Sequence, residues 1–338
     1  MSAAARPAGF TEIPLIDIAA LRSAAPGAAA AVAAAIERAS REVGFFYITG
    51  HGIPAGLVEA GLAAAREFFA LPDAEKQAIA VDSRHRGYVG PGAARMYAGH
   101  RPDLKESFVW GLDLPLDHPA VRPERSLMGP NRWPARPAGM GPALERYFTA
   151  ALAVGRDLAR AFAVALGEEE GFFARHFSHP LARGGVIHYP PQPPDLGADQ
   201  FGVGPHTDYG FLTLLWQDEV GGLEVRNAAG AWVAAPPIAG SLVVNVGDLL
   251  ARWSNDRFAS TPHRVVNRSG RERFSVPVFY DPDWESVVDP APVAERAGVA
   301  ARHPPLIAGE HIRARFDRAF AHRGKGGEGE TDVAFARP

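Results

Sequence analysis

The chain has no cysteine among its 338 residues. That excludes disulfides, thiolate nucleophiles, zinc ribbons and iron–sulfur clusters together, and it points to a reducing compartment. Net charge is also scarce: 35 Lys and Arg against 38 Asp and Glu leave a formal −3. Nucleic acid and anionic membrane surfaces both call for a basic footprint, so neither is an expected partner. Lysine itself is limited to Lys76, Lys105 and Lys325, leaving arginine as nearly all of the positive charge. Long hydrophobic runs are missing as well. The best, Ala28–Ile36, is short and mostly alanine, far from the roughly 20 apolar residues of a spanning helix. No basic stretch leads into an apolar one at the N-terminus, which predicts no secretory signal and a cytoplasmic protein. Nor is there an HExxH, GxSxG, P-loop or dinucleotide glycine fingerprint.

What is present reads as an ordinary globular chain, 47% hydrophobic and 22% charged. Glu12–Ile18, interrupted by Pro14, suits an edge strand or an extended arm. Val32, Ile36, Ala39 and Val43 recur at helical spacing within Ala28–Val43, and Gly44 stops that helix before the β-rich Phe45–Thr49. Further helices are expected over Leu57–Phe69, Ala143–Leu166 and Arg302–His322, with a mobile Gly-rich tail at Gly324–Gly329. Between residues 82 and 140 the chain reads as irregular around a strand-like Ser107–Leu112. From about residue 183 short strands parted by turns take over: Gly185–Tyr189, Leu212–Gln217, Leu223–Arg226, Trp232–Ala234, Leu242–Val246, His263–Asn267 and Phe274–Tyr280. Such spacing predicts a mainly β protein whose core is a β-sandwich or jelly roll, flanked by helices. The chain has no internal repeat and reads as a single fused domain over 1–338, with an N-terminal region (10–120), a β core (183–282) and a C-terminal helix (302–322).

The chemistry-bearing pattern is His206-Thr207-Asp208. On a strand, residues i and i+2 share a face, so an imidazole and a carboxylate would converge. A third ligand must come from elsewhere, and His263, 57 residues on, is the best candidate. Two histidines and a carboxylate on one side of a metal leave positions open, as non-haem Fe(II) oxygenases require. Ten residues past His263, Arg273 and Ser275 repeat the i, i+2 relation, presenting a guanidinium and a hydroxyl. Their neighbours Val276 to Phe279 have core texture, and a buried arginine requires an anion, for which a dicarboxylate is suited.

With Gly221-Gly-Leu223, Asn245-Val-Gly-Asp248 and His263-Arg-Val265 falling between these pairs, the chain resembles the isopenicillin N synthase branch of the 2-oxoglutarate-dependent Fe(II) dioxygenases. Ile13-Pro-Leu-Ile-Asp17, Gly44-Phe-Phe-Tyr-Ile48, His51-Gly-Ile-Pro54 and Tyr189-Pro-Pro-Gln-Pro193 extend the resemblance to residues 10–320. It implies a double-stranded β-helix in which His206, Asp208 and His263 ligate Fe(II). Arg273, Ser275 and Tyr189 would hold the distal carboxylate of 2-oxoglutarate. O₂ would be the co-substrate, a small molecule the prime substrate, succinate and CO₂ the by-products, and ascorbate a stimulant to include. The chain departs from the family at Ile187, where several relatives carry asparagine two residues before the tyrosine.

Phe279, Tyr88 and Arg183 are the candidate substrate contacts. Trp216 and Trp253 could line a pocket or fill the core, Gly221-Gly222 and Asn245–Asp248 read as turn chemistry, and His188 points away from Tyr189. Two other functions remain compatible with the residues: an Fe(II) oxidase of this fold that uses no 2-oxoglutarate, and a non-catalytic small-molecule-binding jelly roll.

Overall fold

The computed structural model describes residues 9–23, 27–96, 101–192 and 200–323; Pro193 and the expected tail Gly324–Gly329 lie outside them. Its strands are β1 (Leu15–Asp17), β2 (Phe45–Thr49), β3 (Gly87–Val89), β4 (Glu106–Gly111), β5 (Arg183–Tyr189), β6 (Val203–His206) and β7 (Leu212–Gln217). They continue with β8 (Leu223–Arg226), β9 (Trp232–Ala234), β10 (Leu242–Val246), β11 (His263–Val265), β12 (Arg273–Tyr280), β13 (Val287–Val288) and β14 (Leu306–Ile307). The helices are α1 (Ala28–Glu42), α2 (Ala55–Phe69), α3 (Asp73–Gln77), α4 (Met140–Ala165), α5 (Asp248–Trp253), α6 (Ala291–Arg296) and α7 (Ala308–Ala319).

Eight strands form one sheet in the order β1-β2-β10-β7-β12-β5-β4-β3, antiparallel except for the edge pair β1–β2. A second, antiparallel sheet has the order β6-β11-β8-β9. This is the expected jelly-roll core. Strands from the N-terminal region and from the β core share the larger sheet.

Helices α1, α2 and α4 pack together over the outer side of that sheet. Helix α4 is the central element because its stripe of Leu144, Phe148, Ala151, Leu158 and Phe162 is buried along its length. Gly155 lets it approach β12: a Cβ there would lie 2.7 Å from the ring of Tyr280. No helix among the described residues is long and apolar enough to cross a membrane.

Two elements differ from the sequence expectation. The C-terminal helix is shorter than 302–322, starting only at Ala308. Pro304 and Pro305 remove backbone donors and disfavour helix before them, so Leu306–Ile307 pair with β13 instead. Strand β6 carries Gly204 and Pro205, which hide it from a search for β-rich runs. Among the described residues it pairs only with β11, and at an edge a proline is tolerated.

Tyr88 is placed away from the cavity, against expectation. It is 2% exposed, and its hydroxyl donates to Glu106 Oε2 at 2.5 Å. Glu106 also accepts from Lys76 Nζ (2.8 Å) and faces His188 Nδ1 (2.8 Å). His188 lies, as expected, on the face opposite Tyr189, stacked on Phe274. Burial disfavours the Glu106 carboxylate, but the hydrogen bonds from His188, Lys76 and Tyr88 outweigh it and hold the group at about 2.

A depressed carboxyl stabilises the fold above its unfolded value and loses that contribution as pH falls towards its folded value. Glu106 should therefore contribute about 3 kcal/mol at neutral pH. That contribution disappears between about pH 4.5 and 2, a loss that Glu106→Gln should largely remove from the pH dependence of the urea midpoint.

Candidate active site

A cavity of about 150 Å³ lies between the two sheets, lined by residues of both. Alternation builds its walls. Arg273, Ser275, Pro277 and Phe279 face it from β12, and Arg183, Gly185, Ile187 and Tyr189 from the neighbouring β5. Thr213 and Leu215 line it from β7, and His206, His263, Val203 and Val265 from the smaller sheet.

His206 and His263 are direct register partners across β6 and β11, with ring centroids 4.2 Å apart. Asp208 is not on that strand. Strand β6 ends at His206, and Asp208 sits in the loop beyond it, where i, i+2 alternation no longer operates. Its position comes from hydrogen bonds instead: Oδ2 accepts from the Thr213 hydroxyl (2.5 Å) and from Asn245 Nδ2 (2.7 Å). The other oxygen, Oδ1, then faces His206 Nε2 at 3.6 Å and His263 Nε2 at 3.7 Å. The turn beyond Asp208 is equally constrained. A Cβ on Gly210 would fall 1.5 Å from Asp281 Oδ1, so only glycine fits there.

Both imidazoles are oriented by their second nitrogen. His206 Nδ1 donates to the Gly204 carbonyl at 2.8 Å and His263 Nδ1 to the Thr261 carbonyl at 3.2 Å. That tautomer leaves each Nε2 lone pair directed at the same point. Burial and the adjacent His263 keep His206 well below the usual imidazole range, which favours a neutral ligand. Burial works against the Asp208 carboxylate, yet the two histidines and the bonds from Thr213 and Asn245 keep it ionised. One donor atom from each of His206, Asp208 and His263 lies within 4.8 Å of the others. Two imidazoles and a carboxylate, open towards a cavity, fit a facially bound Fe(II).

Asn245 and Thr213 were not legible as site residues, and Asn245 is more than turn chemistry. It lies on β10, and its amide fixes Asp208. Outer partners of this kind are worth 10- to 100-fold in metal affinity. Asn245→Ala should accordingly weaken Fe(II) binding by about that factor in a metal-competition titration, whereas an unchanged affinity would deny Asn245 this role.

The far end of the cavity holds Arg273, 0% exposed. Its Nε donates to the Gly221 carbonyl, its Nη2 lies 3.4 Å from Gln217 Oε1, and its guanidinium stacks over Tyr189 at 4.6 Å. Nη1 has no partner, and no carboxylate among the described residues pairs with this cation. A buried, uncompensated guanidinium beside a serine hydroxyl fits the carboxylate of a bound acid. Gly221 and Gly222, at φ +77° and +91°, make the turn that offers Arg273 its carbonyl.

Of the substrate candidates, Arg183 and Phe279 line the cavity and Tyr88 does not. Trp253 is buried in α5, outside the lining, and Trp216 packs against the core. Lys105, His85, Phe316 and Phe320 line it without having been singled out. Phe316 and Phe320 arrive from α7 and its C-terminal end, which Arg315 ties to Asp248 at 3.1 Å. The Asp248 amide in turn donates to the Asp208 carbonyl.

Comparison with known proteins gives the same answer from independent directions. Residues 13–136 match the family model of the non-haem dioxygenase in morphine synthesis N-terminal region, and residues 174–282 match that of the 2OG-Fe(II) oxygenase superfamily. A 2-oxoglutarate-Fe(II) type oxidoreductase of Emericella nidulans is 37% identical over 322 residues, covering 92% of this chain and 91% of its own. Homoarginine-6-hydroxylase of Oryza sativa subsp. japonica is 35% identical over 321 residues, covering 90% and 96%. Among solved structures, a full-length Neurospora crassa protein in complex with alpha-KG superposes with a TM-score of 0.79 at 30% identity, covering 90% of this chain and 96% of that one. The matches span nearly the whole chain, and the His–Asp–His cluster sits inside the matched oxygenase region. The chain is therefore a member of the 2-oxoglutarate/Fe(II)-dependent oxygenase superfamily, an enzyme that takes Fe(II) and 2-oxoglutarate.

Proposed function

We propose that the protein oxidises an unactivated C–H bond of a small-molecule metabolite, with hydroxylation as the outcome. One O₂, one 2-oxoglutarate and one C–H bond are consumed; succinate, CO₂ and the alcohol are released, one oxygen atom going to succinate and one to the product. Fe(II) and 2-oxoglutarate together supply the O₂-activating chemistry. The chain's own residues supply position and exclusion. His206, Asp208 and His263 hold the metal on one side. Arg273, with Ser275 and Tyr189, grips the distal carboxylate, directing the keto-acid end towards the histidines. The apolar walls keep water from the reacting centre. A cytoplasmic setting suits a cysteine-free chain of this kind.

The observation that carries this reading is the fully buried, unpaired Arg273 in the same cavity as the His–Asp–His cluster. The names of relatives support a small-molecule substrate: one is a homoarginine hydroxylase, and the Neurospora crassa protein is also known in complex with thymine. A screen of candidate metabolites with Fe(II), 2-oxoglutarate and ascorbate tests it. Succinate should form in step with product from one metabolite. O₂ consumption with product but no succinate would instead establish the oxidase that works without 2-oxoglutarate.

A further inference from the structure

We propose that Arg183 is the docking point of the prime substrate and that it selects a neutral carbonyl acceptor, such as an amide, lactam or imide, rather than a carboxylate. This rests on the oxygenase reading above and names the substrate class of that site.

Arg183 is 4% exposed and lines the cavity, flanked by the rings of Phe279 (5.2 Å) and Phe316 (4.6 Å). Its Nη2 is committed to Asp281 Oδ2 at 2.6 Å, while Asp281 Oδ1 takes the Phe211 amide. Nε and Nη1 of Arg183 have no hydrogen-bond partner. Buried donors left unmade are costly, so a ligand acceptor placed against them gains more than the same bond in water.

Charge decides which acceptor. Three cations line the cavity: Lys105, Arg183 and Arg273. Asp103 lies 3.3 Å from Lys105, and Asp281 already neutralises Arg183. Arg273 and Asp208 remain, one charge of each sign, and bound Fe(II) and the 2-oxoglutarate dianion cancel each other. The loaded site is therefore neutral. A carboxylate at Arg183 would bring an uncompensated negative charge into a dry cavity and share its cation with Asp281, whereas a carbonyl oxygen satisfies the free donors with no added charge. The surrounding walls, Phe45, Met96, Tyr209, Phe279, Phe316 and Phe320, offer the rest of the substrate an apolar body to pack against.

The test uses the anaerobic full chain loaded with Fe(II) and 2-oxoglutarate, titrated with matched fragment pairs: benzamide against benzoate and phenylacetamide against phenylacetate. Binding is read from the metal–keto-acid charge-transfer band and from the shift in melting temperature. The amides should bind at least tenfold tighter than their acids. Arg183→Lys, which keeps the ion pair but loses donors, should weaken the amides about tenfold, the value of one buried hydrogen bond. The double variant Arg183→Met/Asp281→Asn removes both charges together, so it guards against a fold defect from a stranded Asp281 and should show the same loss. Tighter binding of the acids, no binding of either form, or amide affinity unchanged in both variants would overturn the proposal. The 2-oxoglutarate midpoint measured in the same samples separates the two levels: normal binding there leaves the oxygenase reading intact when the substrate proposal fails, and its absence in the unaltered chain sinks both.

Discussion

His263→Ala should abolish substrate-dependent succinate release, by more than the roughly 100-fold that loss of an outer-sphere partner costs, and leave the protein folded. The side chain ends in the cavity, with Nε2 3.7 Å from Asp208 Oδ1 and its ring edge-on to Phe45 at 5.0 Å. Removing it widens an existing cavity instead of opening a hole in close-packed core. The backbone pairing of β11 with β6 and β8 does not depend on the imidazole. Metal content after dialysis and succinate yield are the measurements, with circular dichroism as the check on folding. Activity retained in His263→Ala would remove the residue from the metal site. Asp208→Ala should be equally inactive but less stable, because Thr213 and the buried Asn245 amide would both lose their acceptor.

Arg273→Lys should raise the 2-oxoglutarate midpoint by about 10- to 150-fold, equivalent to the 1.5–3 kcal/mol of a charge-assisted hydrogen bond. Lysine keeps the charge but not the planar fork that matches a carboxylate. Fe(II) affinity should change little, because among the described residues Arg273 bonds only to Gly221 and Gln217 and stacks on Tyr189, all apart from the His–Asp–His cluster. A titration followed by the metal–keto-acid charge-transfer band reads both quantities. Equal midpoints would reject the assignment, and a loss confined to the prime substrate would make Arg273 the substrate's anchor.

Much of this site was legible because strands obey a period of two. Once Arg273 and Ser275 are placed on one face, Phe279 follows on the same face, and the structure has all three in the cavity. His206 and His263 were likewise legible from residue type and spacing. Asp208 reaches its place by a different route from the one the pattern suggests, as a loop residue held by side chains of β7 and β10. No local signal links it to Asn245, 37 residues away, since the two meet only when β10 joins the sheet. Phe316 and Phe320 were hidden for the same reason: a helix stripe does not reveal which cavity it will close. Tyr88 misled because an aromatic near a glycine and an arginine suits a pocket and a core equally well, and the deciding partner, Glu106, lies 18 residues on.

The position of β2 between β1 and β10 has a bearing on how the chain is made. Ile48 pairs with Leu242, 194 residues later, and such distant pairings are reached slowly because a large loop must close before they return any stabilisation. During synthesis, Phe45–Thr49 leaves the ribosome long before the strand that pairs with its inner edge exists. Until then an apolar strand edge stands open, the kind of template that recruits other chains. Asn245 and Phe45 are themselves partners in that register. The pairing that covers the inner edge of β2 thus also carries Asn245 to Asp208, so a nascent chain cannot set its metal-binding carboxylate until residue 245 has been made and that edge is covered.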